Sequence, residues 1–402
     1  MVMPSRRRFL QATALGVAAG TGFAVTAGGA ETDRPTPWPT ARHDPAGTAS
    51  TADAGPKDGV ELAWTHDRTD WFRGTAEPVL FGDTLYAAGG GLLALDPETG
   101  ARRFGTAGPY DASPARAQTS VYTSETLAVP SQSGIVGLNS AGGLGLPGLG
   151  PVGTERWNTP TPDHDHPFAS MPGEHATPVA ADGIVVSPTP DRESLVALDA
   201  DDGAVRWRAT PTNDTASVTF TRPAVRDGVV YATAWPYRVS AYDLDSGSRQ
   251  WHRELDEQLL RAPVATAEHV VVLSREAVWS LDPTDGSTQW RYGHGGNVTE
   301  STPAVADGVV FAPTEDGVLD AVELASGERV WRAPFEGDAA PVVGDGVVYA
   351  VRSRSELVAI EADSGVERFR YEPDQVPLSP PVVAGGRLYA TNRHRVLAME
   401  GA

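Results

Sequence analysis

An aromatic residue closes every fourth apolar run along this chain, at Trp64, Phe104, Trp157, Trp207, Trp251, Trp290, Trp331 and Phe369. The intervals run from 38 to 53 residues, as those positions show. One complete unit reads Thr302-Pro-Ala-Val, Ala306-Asp-Gly, Val309-Val-Phe-Ala, Val318-Leu-Asp-Ala-Val-Glu-Leu, Ala325-Ser-Gly and Glu328-Arg-Val-Trp331. Its apolar runs are short and rich in β-branched residues, and Asp-Gly or Ser-Gly bounds them, which predicts a four-stranded antiparallel meander with tight turns. A single such sheet cannot bury its own face, so repeats of this period stack face to face around an axis. The expected fold is all-β: an eight-bladed β-propeller over residues 59–402, with each outer aromatic packed between adjacent blades.

The two ends of the repeat predict how the ring closes. The last unit supplies Pro381-Val-Val, Leu388-Tyr-Ala and Arg395-Val-Leu-Ala-Met399 and stops before a fourth strand, while the body opens on Val60-Glu-Leu-Ala-Trp64, a fourth strand without a preceding three. Pairing the N-terminal strand into the C-terminal blade removes both exposed edges. The units Ala94-Leu-Asp96-Pro-Glu-Thr-Gly100 and Ala197-Leu-Asp199 through Gly203 to Trp207 resemble the Ala-x-Asp-x-x-x-Gly-x-x-x-Trp repeat of pyrroloquinoline quinone (PQQ) repeat proteins. The resemblance covers residues 59–402, with the second blade the most degenerate. The family includes quinoprotein dehydrogenases and the non-catalytic propeller of the outer-membrane assembly factor BamB. The repeat therefore implies the fold and leaves the activity open.

Ahead of the repeat lie two segments of other character. Residues 1–30 carry Arg6, Arg7 and Arg8, a Gly/Ala-rich apolar run shorter than the ~20 residues of a membrane span, and small residues suited to cleavage. Ser5-Arg6-Arg7-Arg8-Phe9-Leu10 resembles the twin-arginine (Tat) export motif, with Arg6 and Arg7 as its signal residues. The expectation is an exported, extracellular or cell-surface protein with no transmembrane segment in its mature part. Residues 31–58 are rich in Thr, Pro, Ala and Gly and read as a linker, with Trp38 to Pro45 as the piece suited to packing on the body.

Charge and cysteine content narrow the function. The net charge is −20, and loss of Arg6, Arg7 and Arg8 with the leader takes it to −23. Lys57 is the only lysine. This acidity excludes nonspecific nucleic-acid binding, which needs a basic surface, and resembles that of proteins from salt-loving archaea, where salt screens self-repulsion. The chain has no cysteine, which excludes thiolate chemistry, disulfides and a lipidation cysteine. Many quinoprotein dehydrogenases carry a disulfide between adjacent cysteines over the cofactor, so this absence argues against that branch.

Topology sorts the remaining candidates onto two ends of the ring. Turns between strands one and two, and three and four, lie at one end and collect many acidic residues against few arginines, including Asp199-x-Asp201-Asp202-Gly203, an incomplete Ca²⁺ loop. The other end carries the irregular sequence. Asp163, His164, Asp165, His166 and His175 sit in one interblade loop and have the chemistry to bind Zn²⁺. Arg352, Arg354, Arg393, His394 and Arg395, with Arg68, Trp71, Phe72 and Arg73 of the closing connection, form a candidate interaction patch suited to carboxylate-bearing partners or glycans. Sequons begin at Asn213 and Asn297. The insertion at residues 142–150 presents Leu144, Leu146 and Leu149 to a partner. No residue is singled out as catalytic. The expected function is an exported non-catalytic scaffold, monomeric and without cofactor, that binds a protein or cell-surface ligand. The rivals are a reduced quinoprotein dehydrogenase using PQQ and Ca²⁺, and a metal- or glycan-binding module.

Overall fold

The computed structural model describes residues 36–67, 76–110, 112–131, 134–143, 154–160, 177–210, 219–258, 260–298, 301–314, 317–337, 339–374 and 376–402. These residues form eight blades of four antiparallel strands, each ordered from an inner to an outer strand; the short strands Ser50–Thr51 and Thr219–Phe220 add to two of them, and no helix occurs among the described residues. Blade one comprises Val79–Phe81, Thr84–Ala88, Gly91–Leu95 and Arg102–Ala107. Blade eight joins Val382–Ala384, Arg387–Thr391 and Arg395–Gly401 to the N-terminal strand Val60–Asp67, with Trp64 opposite Ala398. The expected closure is therefore the observed one. Second and third strands are buried throughout, as in Val270–Leu273 and Ala277–Leu281, because they are covered on both faces by neighbouring blades. Outer strands such as Thr288–Gly293 are largely exposed.

The repeated motif is explained by contacts between blades. In every blade the pairing of the third and fourth strands shifts by one residue just before the outer aromatic, as at Ala94/Leu95, Ala197/Leu198 and Ala359/Ile360. This bulge bends the outer strand and re-aims its side chains. The extra residue is Arg103, Arg206 or Arg368 in three blades. There it pairs with the motif acid seven residues earlier, Arg103 with Asp96 at 2.9 Å, and Arg206 with Asp199 and Arg368 with Glu361 at 2.7 Å. The next residue, the aromatic, turns onto the following blade.

There it meets the motif glycine. Trp207 lies against Gly247 and Trp251 against Gly286, and a Cβ on either glycine would fall 2.5 Å from the indole. Both glycines have φ near +70°, a conformation that side chains disfavour. The same juxtaposition joins Trp64 to Gly100, Phe104 to Gly142, Trp157 to Gly203, Trp290 to Gly327 and Trp331 to Gly365. The indole N–H of each Trp then donates to a carbonyl in the same turn, for example Trp207 Nε1 to Leu244 O at 2.8 Å and Trp331 Nε1 to Ala362 O at 2.7 Å. Seven junctions carry this staple. The junction from blade seven to blade eight does not, because blade eight takes its fourth strand from the other end of the chain and has no such turn.

Residues 36–58 correct the linker reading. Rather than tethering the ring, the segment lies along its inner strands and bonds all eight blades in turn. Trp38 and Leu80 exchange backbone hydrogen bonds of 2.6 and 2.9 Å, and the carbonyls of Pro39, Pro45, Ala46, Thr48 and Ala49 accept the N–H groups of Arg116, Val225, Ala265, Val305 and Val343 at 2.8–3.0 Å. Thr40 Oγ1 donates to Pro178 O in blade three, and the N–H of Gly386 in blade eight donates to Ala54 O. Inner strands present unpaired edge N–H groups to the axis, and an extended segment of small residues supplies their acceptors without filling the space with bulk. The Trp38 part of the expectation holds, since that side chain is fully buried.

A double-mutant cycle tests the staple. Trp207→Phe should cost about 1 kcal/mol for the lost buried hydrogen bond, and Gly247→Ala about 1–3 kcal/mol for clash and backbone strain. In urea unfolding, Trp207→Leu/Gly247→Ala should be less destabilised than the sum of its single variants by about 1 kcal/mol, because the smaller side chain relieves the clash.

Candidate interaction surface

At the turn end the first acid of the motif is engaged within its own turn. Asp96 accepts the N–H groups of Glu98 and Thr99 at 3.1 and 3.0 Å, Asp243 that of Ser246 at 2.8 Å, and Asp282 that of Thr284 at 2.8 Å. These are the local acceptor geometries for which Asp is favoured in turns. Asp201 instead reaches the long first turn of blade two and accepts the Ser120 N–H at 2.8 Å. Asp199 holds Arg206, and Asp202 accepts the Ala204 N–H at 2.8 Å. The three acids of the incomplete Ca²⁺ loop thus point to three different partners. Among the described residues no three His, Cys, Asp or Glu side chains are grouped to hold a metal ion.

Hydrogen bonds hold these carboxylates below the ordinary range. The Arg103 guanidinium lowers Asp96, the Ser120 hydroxyl lowers Asp201, and the Ser246 and Thr284 hydroxyls lower Asp243 and Asp282. A folded-state pKa below the unfolded value gives stability that is present above the unfolded pKa and lost as pH falls through the folded one. The melting temperature at fixed ionic strength should therefore change little down to about pH 5 and fall below about pH 4. A melting temperature that is flat to pH 3 would remove this contribution.

At the opposite end the structure brings together the second turns of blades seven and eight. The interblade residue Leu378 donates its N–H to Arg354 O at 2.9 Å and bridges to Asn392. Asn392 is buried, and its side-chain oxygen accepts the N–H groups of His394 and Arg395 at 2.9 and 2.7 Å, fixing the turn that carries Arg393 and His394. The cluster expected from sequence divides into two kinds of residue. Arg352 is paired with Glu356 and lies over the Phe335 ring, and Arg395 is paired with Asp67 at 3.0 Å. These two are structural. Arg393 and His394 are exposed, their side chains without a hydrogen-bond or ion-pair partner among the described residues, and Arg354 is exposed beside them. Arg68, Trp71, Phe72, Arg73, the loop with Asp163, His164, Asp165, His166 and His175, and Leu144, Leu146, Leu149 and Asn213 all lie outside the described residues, as do Arg6 and Arg7.

Two features of this end were not singled out from sequence. Trp235 and Tyr237 are 42% and 37% exposed at the tip of the second turn of blade four. The signal was available, since Trp-Pro-Tyr stands where blade seven places Ser and Arg and blade eight places Arg and His. The second feature is a buried charged group on the axis. Glu77 accepts the Trp38 indole N–H at 2.7 Å and the Arg42 N–H at 2.8 Å, while Arg42 donates to Pro303 O at 2.6 Å. Arg222 donates to Asp44 O at 2.8 Å, and burial pushes its pKa down to about 10. These groups anchor the N-terminal segment.

Fold and repeat together define an eight-bladed PQQ-repeat propeller. The family model for outer membrane protein assembly factor BamB matches residues 149–314 and 315–402, well over half of the chain, and the chain belongs to that family. The BamB of Alkalilimnicola ehrlichii is 28% identical over 173 residues, 41% of this chain and 44% of that protein. The chain thus spans less than half the length of the curated relatives it matches. Among solved structures, BamB from Moraxella catarrhalis superposes with a TM-score of 0.62 at 15% identity, covering 85% of this chain and 98% of that one. The quinohemoprotein alcohol dehydrogenase of Comamonas testosteroni superposes with a TM-score of 0.68 at 14% identity, covering 91% of this chain and 81% of that one. Likeness at this identity establishes the shared fold. Among the described residues no helix is long and apolar enough to cross a membrane.

Proposed function

We propose that the protein is an exported, non-catalytic scaffold that holds a protein partner through the loop end of the ring. Membership of the BamB family supports the scaffold reading. The observation that carries the choice of surface is the contrast between two sets of turn residues: the motif carboxylates Asp96, Asp243 and Asp282 are engaged in their own turns, whereas Arg393 and His394 face solvent on a turn fixed by buried Asn392. A rigid backbone presenting exposed cationic side chains suits a carboxylate-bearing partner, and arginine makes such contacts bidentately. The exposed Trp235 and Tyr237 offer a second, apolar contact on the same end. Export through the Arg6-Arg7 leader places this surface outside the cytoplasmic membrane.

The test is a crosslinked pulldown from the producing cell with tagged wild type and Arg393→Glu/His394→Glu. The double variant should keep the wild-type melting temperature and lose at least about tenfold of the captured partner, as expected for central charged contacts. Undiminished capture would move the interface elsewhere. Reconstitution with PQQ and Ca²⁺ should give no dye-linked oxidation of alcohols or sugars, and activity there would overturn the non-catalytic reading.

A further inference from the structure

The junction between blades seven and eight stands apart from the other seven. Phe369 occupies the outer aromatic position of blade seven but faces no motif glycine, and Gly401 of blade eight has open space where a Cβ would be added. The N-terminal segment is fastened most densely at this same junction. Ser50–Thr51 pairs in parallel with Val343 and Gly344 of blade seven. Tyr349, also in blade seven, donates its hydroxyl to Pro56 O at 2.9 Å, and Lys57 pairs with Asp345 at 2.7 Å. On the other side, the N–H of Gly385 in blade eight donates to Asp53 Oδ2 at 3.0 Å, and that of Gly386 to Ala54 O at 3.2 Å. Gly55 sits between these contacts, where a Cβ would fall 2.6 Å from Tyr349 Oη.

We propose that residues 49–58 are a latch, an extended peptide bound in cis across the one junction that lacks an aromatic staple, and that its release opens the ring between blades seven and eight. The direction of the chain favours this site. Residue 58 leads within two residues into Val60–Asp67, the outer strand of blade eight, so tension on the latch reaches the closing strand directly. Elsewhere the segment contributes one or two backbone bonds per blade, with side-chain bonds at Glu77 and Arg222, and those blades also hold their neighbours through staples. At this junction the latch supplies bonds to both blades. An opening mode is thereby concentrated at one place in a ring whose other seven junctions are alike.

Residue-resolved hydrogen exchange on the full chain tests the latch, comparing wild type with Gly55→Val and Tyr349→Phe. Gly55→Val should speed exchange at Val343, Gly385 and Gly386 by at least about tenfold and leave Arg116, Val225 and Ala265 unchanged, because local opening exposes only the affected unit. Tyr349→Phe removes one hydroxyl bond and should give the same pattern at roughly fivefold. It also decides the question if Gly55→Val does not fold. Faster exchange spread evenly over all eight blades would overturn the proposal by making the segment a general axial strut. No change at the three junction amides would overturn it as well.

Discussion

The rest of the structure depends on an indole seated against a backbone that cannot carry a side chain. Seven of the eight blades offer a turn glycine at positive φ, and the preceding blade fills the space with an aromatic ring. The contact combines a large apolar burial with a hydrogen bond from the indole N–H to a carbonyl of the same turn. Neither half works alone. A side chain in place of the glycine would meet the ring at less than contact distance, and a ring without the bulged outer strand would point along its own sheet. The bulge, the arginine in it and the acid seven residues earlier serve the same end, since together they hold the outer strand where the ring must turn.

A ring of identical joints has two remaining problems, and the N-terminal residues answer both. Closing eight sheets leaves eight inner edges facing the axis, and unpaired edge N–H groups recruit whatever extended chain is near. Carbonyls of residues 38–49 take six of those N–H groups at matching positions on the inner strands. Closing the ring also requires one blade to be assembled from both ends of the chain, which removes the turn that a staple needs. The same segment crosses that junction before continuing into the closing strand. Axial pairing and ring closure are therefore one continuous stretch of polypeptide, from Trp38 to Asp67.

The fold was legible because its determinants are side chains at fixed spacing. Asp-x-x-x-Gly followed by an aromatic survives in most units, and turn glycines and outer tryptophans are unambiguous signals. The axial segment was not legible as such, because its contribution comes from backbone carbonyls. Pro, Ala and Thr at residues 36–58 have the composition of a tether, and nothing in that composition says that Pro45 O or Ala46 O meets an N–H nearly two hundred residues or more away. Trp38 was the one trace of packing, being too large to leave exposed in a flexible stretch. The arginine patch was half legible. Sequence placed Arg352, Arg354, Arg393, His394 and Arg395 at the same end, but pairing depends on register. Asp67 faces Arg395 because the closing strand pairs Asp67 with Arg395, and Glu356 faces Arg352 across its own turn.

These pairings also explain why a recognition surface would collect at one end. Turns at the motif end are under two constraints at once: they supply the glycine for the neighbouring aromatic and the carbonyl for its indole N–H. Their acids are then drawn inward to organise the backbone, as Asp96, Asp243 and Asp282 are. A substitution there disturbs a joint of the ring. Turns at the opposite end connect second and third strands and take no part in stapling, so their side chains vary without cost to the ring, from Trp235-Pro236-Tyr237 in blade four to Arg393-His394 in blade eight. This division of the ring provides a rigid frame and chemically free positions from one repeated unit.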